Sequence, residues 1–255
     1  MDFIKKFWDN QAVLHGVNHH ASWGDYYAIE LEINNISNHL KDGIDVLDVG
    51  CSNGFGLLKQ SDRFNFKSAF GIDYSESMIK EALNAKNMAN KDSINFQVGD
   101  IRKIEFPDNS FDVVYTTRVL INLPNWEEQI IGINECLRVT KPGGKVLLSE
   151  AFWEPLVKLN TIRVVFGLES LVEHDFNRYL KKSKTNNFLL SKNLNYEIVD
   201  FSSIYYLGSR LIRELTTDIS KYEGYSNPIN KIFYEIENDF SGGDVGIQQC
   251  YVINK

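Results

Sequence analysis

Residues 46–54 read VLDVGCSNG. An apolar run long enough for a strand ends in an acid, Asp48, and passes into a turn bounded by Gly50 and Gly54. In an open α/β sheet ligands bind outside the carboxyl ends of the strands. A glycine turn at that rim lets the backbone approach a ligand and aims the N–H groups of the next helix at it. A dinucleotide fingerprint here would need glycine at 50, 52 and 55, whereas the chain has Ser52 and Phe55. A nicotinamide enzyme is therefore a poor fit.

The flanking sequence keeps the strand–helix alternation. Strands are expected at IDVLDVG (44–50), AFGID (69–73), INFQVGD (94–100), FDVVYTT (111–117) and KVLLSEAF (145–152), with KPGG (141–144) as a turn. Helices are expected from Phe55, over 75–89 with Ser75 as N-cap, and over 124–139, opened by Pro124 near its first turn. Residues 25–40 place Tyr26, Ile29, Ile33, Ile36 and Leu40 at helical spacing, and that stretch is taken as the first helix. Continuous apolar strands alternating with helices imply a parallel sheet covered on both faces. After Phe152 the rhythm breaks. Residues 153–190 look helical and irregular, NYEIVDFSSIYYL (195–207) resumes strand character, and GIQQCYVINK (246–255) is a closing strand.

Two further acids end strands. Asp73 lies 19 positions after Gly54 (73 − 54), near the spacing of roughly 20 at which an acid reaches a ribose hydroxyl pair. Asp100 ends the third strand. Three carboxylates along one rim describe a site for a ribose-bearing ligand that carries positive charge.

In this order and spacing, DVLDVGCSNG, GIDYSESMI, QVGDI, FDVVYTTRVLINL and LRVTKPGGKVLLSE resemble the class I S-adenosylmethionine-dependent methyltransferases. The resemblance covers roughly residues 40–152. It implies an α/β fold, a Rossmann-like, doubly wound, mostly parallel seven-stranded sheet with an antiparallel last strand. It also implies a single domain over 1–255: a helical cap or lid (1–40), a cofactor-binding core (41–152), an acceptor-side insertion (153–195) and the last two strands (196–255).

The resemblance further implies that S-adenosyl-L-methionine is the cofactor and S-adenosyl-L-homocysteine the product. Gly50, Cys51, Ser52 and Gly54 would wrap its methionine end, with Asp48 organising the turn. Asp73 would take both ribose hydroxyls, Tyr74 would lie beside the adenine, and Asp100 and Ile101 would bracket it. Thr116, Thr117 and Arg118 would face the transferring methyl, and Trp23 and Tyr27 would form a lid. Ser52 departs from the glycine many members carry, but it is small enough to fit.

An acceptor hydroxyl calls for a general base. His174, in ESLVEHDFNRY (169–179), is the best candidate, with a helix-surface histidine as the competing reading. Arg118 is either an acceptor contact or half of a salt bridge. Tyr205 and Tyr206 read as sheet residues. His15, His19 and His20 cluster before the helix at 25–40, and no carboxylate spacing makes them a metal site, so none is expected.

Composition bounds the partners. The 255 residues are 43% hydrophobic and 24% charged with net charge −7, which argues against non-specific nucleic-acid binding. MDFIKKFWDN lacks the apolar centre of a secretion signal, and no run approaches the roughly 20 apolar residues of a membrane span. Cys51, Cys136 and Cys250 suit neither zinc nor a disulfide frame, so a cytoplasmic location is expected. Residues 155–215 hold nine Lys/Arg and six Asp/Glu, a local +3 that favours an anionic small acceptor. Strand four lacks the Asn/Asp-Pro-Pro-aromatic motif of DNA amino-methylating relatives. The expectation is O-methylation of a sugar-, nucleotide- or phosphate-containing precursor, by analogy with capsule and surface-polysaccharide pathways. N-methylation of an amine and a non-catalytic cofactor-binding subunit are the alternatives.

Overall fold

A computed structural model describes residues 2–255. Successive strand side chains point to opposite faces, and here both faces are buried. Val46, Tyr115, Leu147 and Val252 pack into one core, while Leu47, Val49, Val114, Leu148 and Ile253 pack into a second on the other side. The strands are β1 (Asp45–Val49), β2 (Ser68–Asp73), β3 (Ile94–Val98), β4 (Phe111–Thr117), β5 (Thr140–Ala151), β6 (Asn195–Asp200) and β7 (Gln248–Asn254), in the order β3-β2-β1-β4-β5-β7-β6. Only β7 runs antiparallel to its neighbours, as the sequence implied. The order reverses between β1 and β4, and the rim there is the natural place for a ligand.

The helices are α1 (Asp2–His15), α2 (Tyr26–Ser37), α3 (Phe55–Arg63), α4 (Glu76–Ala89), α5 (Trp126–Val139), α6 (Trp153–Val165), α7 (Lys182–Ser191), α8 (Ser203–Leu207), α9 (Arg213–Thr216) and α10 (Pro228–Asp239). Ser75 caps α4 by accepting from Met78 N–H at 3.0 Å, as expected.

Four expectations need correction. α1 precedes the helix taken as the first, and it ends at Gly16, whose φ of +54° only glycine adopts freely. α5 starts at Trp126 and not at Pro124, which lies just before the N-cap, Asn125. KPGG is absorbed into β5 as an irregularity: the pairing to β4 jumps from Phe111–Thr140 to Val113–Lys145. SSIYYL forms α8, not strand, so Tyr205 and Tyr206 are helix residues. Its aromatic, β-branched composition favours a strand, but Glu237 of α10 accepts from Tyr205 N–H at 2.8 Å and pins a helical end there.

α8 continues without a break through a π-helical turn, Gly208–Ile212, into α9. A Cβ on Gly208 would lie 1.8 Å from Phe233 Cγ of α10, which leaves no room for any side chain. Gly56, inside α3, faces open space. Gly208→Ala is expected to destabilise the protein by about 1–3 kcal/mol through overpacking. Gly56→Ala should stabilise it by about 0.5–1 kcal/mol by restricting the unfolded chain. Denaturant midpoints of the two variants test this, and shifts of the same sign would contradict the packing.

Candidate active site

Gly50 and Cys51 both donate their N–H groups to Ile72 O, at 2.7 and 2.9 Å, so the turn leaving β1 is stitched to the end of β2. Gly50 (φ +77°) and Gly54 (φ +78°) are left-handed, as is Ser52 (φ +51°). A Cβ on Gly50 would sit 2.0 Å from Val119 Cγ2, so this position admits glycine alone. The Asp73 carboxylate accepts from Ser52 N–H at 2.9 Å and Ser75 N–H at 2.8 Å. It therefore holds the turn while its remaining lone pairs face a cavity. Removal from bulk water pushes its pKa up to about 6, against the pull of those two N–H groups.

That cavity, of about 690 Å³, is lined by Gly50, Ser52, Asp73, Tyr74, Asp100 and Ile101 on one side. Burial alone would raise Asp100, but Arg102 donates to it from its backbone (2.9 Å) and from Nε (3.0 Å) and holds it below the usual range. Arg102 also bridges to Glu128 at 3.1 Å.

Thr117, Arg118 and Trp23 line the cavity too. The Arg118 guanidinium donates from Nε to Glu32 at 3.0 and 3.2 Å and lies 4.8 Å from the Trp23 ring centre. The salt bridge of its sequence reading is present, and Arg118 lines the cavity as well. His174 is exposed at the cavity mouth, in an irregular segment and not on a helix surface. Its ring centre is 4.5 Å from Phe176 and 6.0 Å from Phe7 of α1.

Several expected contacts do not reach the cavity. Thr116 turns away and donates to Glu150 at 2.7 Å. Cys51 is buried against Gly71, and Gly54 is closed over by Phe96 and Ala82. Asp48 is buried below the turn, where burial pushes it up to about 7 and the neighbouring Tyr115 phenol offsets only part of that. These residues shape the turn from beneath. Tyr27 packs on Tyr234 and the core, so Trp23 forms that part of the lid without it.

Sequence reasoning placed a helical cap within residues 1–40 but named none of the α1 residues that form the cover. α1 places Ile4, Lys5, Phe7, Trp8 and Gln11 over the cavity. The spacing of Phe3, Phe7, Trp8 and Ala12 was a usable helix signal. Tyr179, Tyr206, Arg210, Tyr225 and Gln248 form another wall. They come from elements far apart in the chain, so no local pattern announces them.

Asp48 and Glu150 are both fully enclosed, and burial pushes each up to about 7. A carboxyl with a raised folded pKa binds more protons folded than unfolded, so stability falls as pH rises from about 4 to 7. Asp45 acts the other way: burial notwithstanding, Lys141, Ser68 and Lys67 hold it at about 2, and its contribution is lost as pH falls from about 4 toward 2. The ligand-free protein should therefore melt at higher temperature near pH 5.5 than near pH 8. A melting temperature that climbs steadily toward pH 8 would refute this account.

Comparison with known proteins agrees with the geometry. Residues 47–148 match a family model described as a methyltransferase domain. Phosphoethanolamine N-methyltransferase 3 of Arabidopsis thaliana is 32% identical over 140 residues, 55% of this chain and 28% of that protein. Demethylmenaquinone methyltransferase of Leptospira interrogans is 35% identical over 130 residues, 50% of this chain and 49% of that one. The chain thus spans half or less of the length of these relatives. Geranyl diphosphate C-methyltransferase of Streptomyces coelicolor, solved with Mg2+, geranyl diphosphate and S-adenosyl-L-homocysteine, superposes with a TM-score of 0.58 at 16% identity, covering 88% of this chain and 78% of that one. The strand order, the acids along its rim and the matched segment all agree: residues 47–148 form a methyltransferase domain of the class I, S-adenosylmethionine-dependent kind.

Proposed function

We propose that this chain O-methylates a polar, anionic small molecule, a sugar-, nucleotide- or phosphate-containing precursor such as those of surface polysaccharides. One observation carries the reading. A single cavity runs from Asp73 and Asp100 to the tyrosine wall beneath α1, and its 690 Å³ must hold cofactor and acceptor together. Small-molecule sites occupy about 300–1,000 Å³, so a macromolecular acceptor is a poor fit. The reaction is assigned to the cytoplasm, in keeping with three buried, unpaired cysteines. No helix among the described residues is long and apolar enough to cross a membrane.

The donor set fits S-adenosylmethionine. Asp73 keeps acceptor capacity toward the cavity for a hydroxyl pair, Asp100 is held ionised by Arg102, and Tyr74 and Ile101 offer apolar faces for a base. When bound, the cofactor supplies an activated methyl group. The protein's part is to position and dry the site. α1 covers the cavity, Trp23 on Arg118 closes one side, and His174 at the mouth takes the proton of an acceptor hydroxyl.

N-methylation of an amine is the second reading. It is favoured by the Tyr179 ring in the cavity wall, since aromatic faces attract cations.

Calorimetric titration with S-adenosylhomocysteine is expected to show micromolar binding to the wild type and none to Asp73→Ala. A pKa of about 6 at Asp73 predicts affinity about tenfold weaker at pH 5 than at pH 7.5, because the protonated acid no longer accepts both hydroxyls. Absence of binding to the wild type would sink the reading. Against phosphorylated sugars, His174→Ala should lower methyl transfer by about 10²–10⁴-fold if a hydroxyl is the acceptor. Undiminished transfer to an amino sugar would favour the second reading.

A further inference from the structure

The tyrosine wall surrounds a cation. Arg210 is 8% exposed and lines the cavity. Its Nη2 donates to Asp25 Oδ2 at 2.5 Å, and Asp25 is wholly buried. The other Asp25 oxygen accepts from the Tyr205 hydroxyl at 2.5 Å and from Ala28 N–H at 3.3 Å. The acid is thus committed to the protein interior. Arg210 Nη1, by contrast, is buried and has no hydrogen-bond partner.

None of the neighbouring groups accepts a hydrogen bond from Nη1. The guanidinium carbon lies 5.2 Å from the Tyr206 ring centre and 4.9 Å from that of Tyr225, which offer π faces. The Tyr206 hydroxyl already donates to Gln248 Oε1 at 3.1 Å. Glu214 is taken by Arg163, and Glu173 accepts from Tyr179 N–H at 2.6 Å. A purely structural arginine would have its N–H groups satisfied, because a buried unpaired donor is costly.

The backbone beneath Arg210 is a second, independent observation. Arg210 sits at the centre of the π-helical turn Gly208–Ile212. Such turns are rare and concentrate at functional sites, because the extra residue re-aims a side chain. Here the turn depends on Gly208, whose missing side chain is replaced by the Phe233 ring.

We infer that Arg210 anchors the anionic group of the acceptor, with a phosphate or carboxylate oxygen taking Nη1–H between the Tyr206 and Tyr225 rings. The inference rests on the proposed function for the acceptor's place in this cavity. Tyr225 is half-buried, on the loop between the 3-10 turn Ile219–Lys221 and α10, and its ring is the cover that gives way. Lysine cannot replace this arginine. It would keep a charge beside Asp25 but would lack the planar second N–H pair.

The test uses inorganic phosphate and acetate as probes, at constant ionic strength, on wild type, Arg210→Lys and Arg210→Gln. The readout is the rise of melting temperature with probe concentration, and each preparation is also titrated with S-adenosylhomocysteine. Protection of the wild type by either anion, with apparent affinity at least about tenfold weaker in Arg210→Lys, is expected. S-adenosylhomocysteine affinity should stay unchanged in that variant. Arg210→Lys serves as the reading variant should the neutral Arg210→Gln fail to fold beside buried Asp25. No protection of the wild type, or equal protection of Arg210→Lys, would overturn the anchor, and intact S-adenosylhomocysteine binding would leave the proposed function standing. The converse, Arg210-dependent protection without S-adenosylhomocysteine binding, would keep the anion site and remove the methyltransferase reading.

Discussion

One buried carboxylate holds the corner on which the site is built. Glu150, near the end of β5, accepts from the Thr116 hydroxyl at 2.7 Å and from the N–H groups of Val119, Leu120 and Ile121 at 3.1, 3.1 and 3.4 Å. Those N–H groups open the 3-10 turn Leu120–Asn122, where no backbone acceptor is available. Each unpaired buried N–H would cost about 1–3 kcal/mol, so one acid stabilises a corner the chain could not otherwise make. The corner sits at the switch point of the sheet. It carries Arg118 at φ +57°, sets Val119 against Gly50, and presents Asn122, which accepts from Trp8 of α1 at 3.3 Å. The glycine turn, Arg118 and the cover all take their positions from it.

Charge is arranged in matched pairs. The local +3 of residues 155–215 favoured an anionic acceptor, yet Arg210 in that segment, like Arg118 of the corner, has a dedicated counter-ion at α2. Asp25, its N-cap, holds Arg210, and Glu32, on its second turn, holds Arg118. Removing one partner of such a buried pair typically costs about 3–5 kcal/mol, so α2 is bound to the acceptor wall by electrostatics as well as by packing. Counting charges along a segment misses this, because the compensating acids lie more than 80 positions away. Asp100 follows the same rule with Arg102, but Asp73 does not. Asp73 meets only backbone N–H groups and keeps its negative charge directed at the cavity.

Much of this was legible in the chain because the information was local. A strand buried on both faces must be continuously apolar, an acid at its end must face the rim, and a serine before a helix must cap it. β1 to β5, Asp73 and Ser75 follow from those rules. Where the sequence misled, tertiary contacts overrode local preference. SSIYYL has strand composition, but Glu237 and the ring of Phe233 packed on Gly208 demand a helix. Thr116 is next to the cavity end of β4, yet strand alternation turns it to Glu150 and leaves Thr117 in the cavity. The tyrosine wall depends on segments between β6 and β7 folding back, which no motif encodes.

The cover and the cofactor turn are mechanically one unit. Asn53, within the glycine turn, donates from Nδ2 to Gly16 O at 2.9 Å and Asn18 O at 2.8 Å, just past the end of α1. At the other side Ser75, which caps α4 and donates its N–H to Asp73, also gives its hydroxyl to Asp9 of α1 at 2.5 Å. Lys5 pairs with Glu76 at 2.9 Å. A ligand whose hydroxyls donated to Asp73 would therefore tighten the two segments that grip α1, and a displaced α1 would loosen both. Under the proposed function, binding the cofactor and drying the site would be one equilibrium, because Asp73 is hydrogen-bonded to Ser52, the neighbour of Asn53, and to Ser75, and Asn53 and Ser75 hold α1.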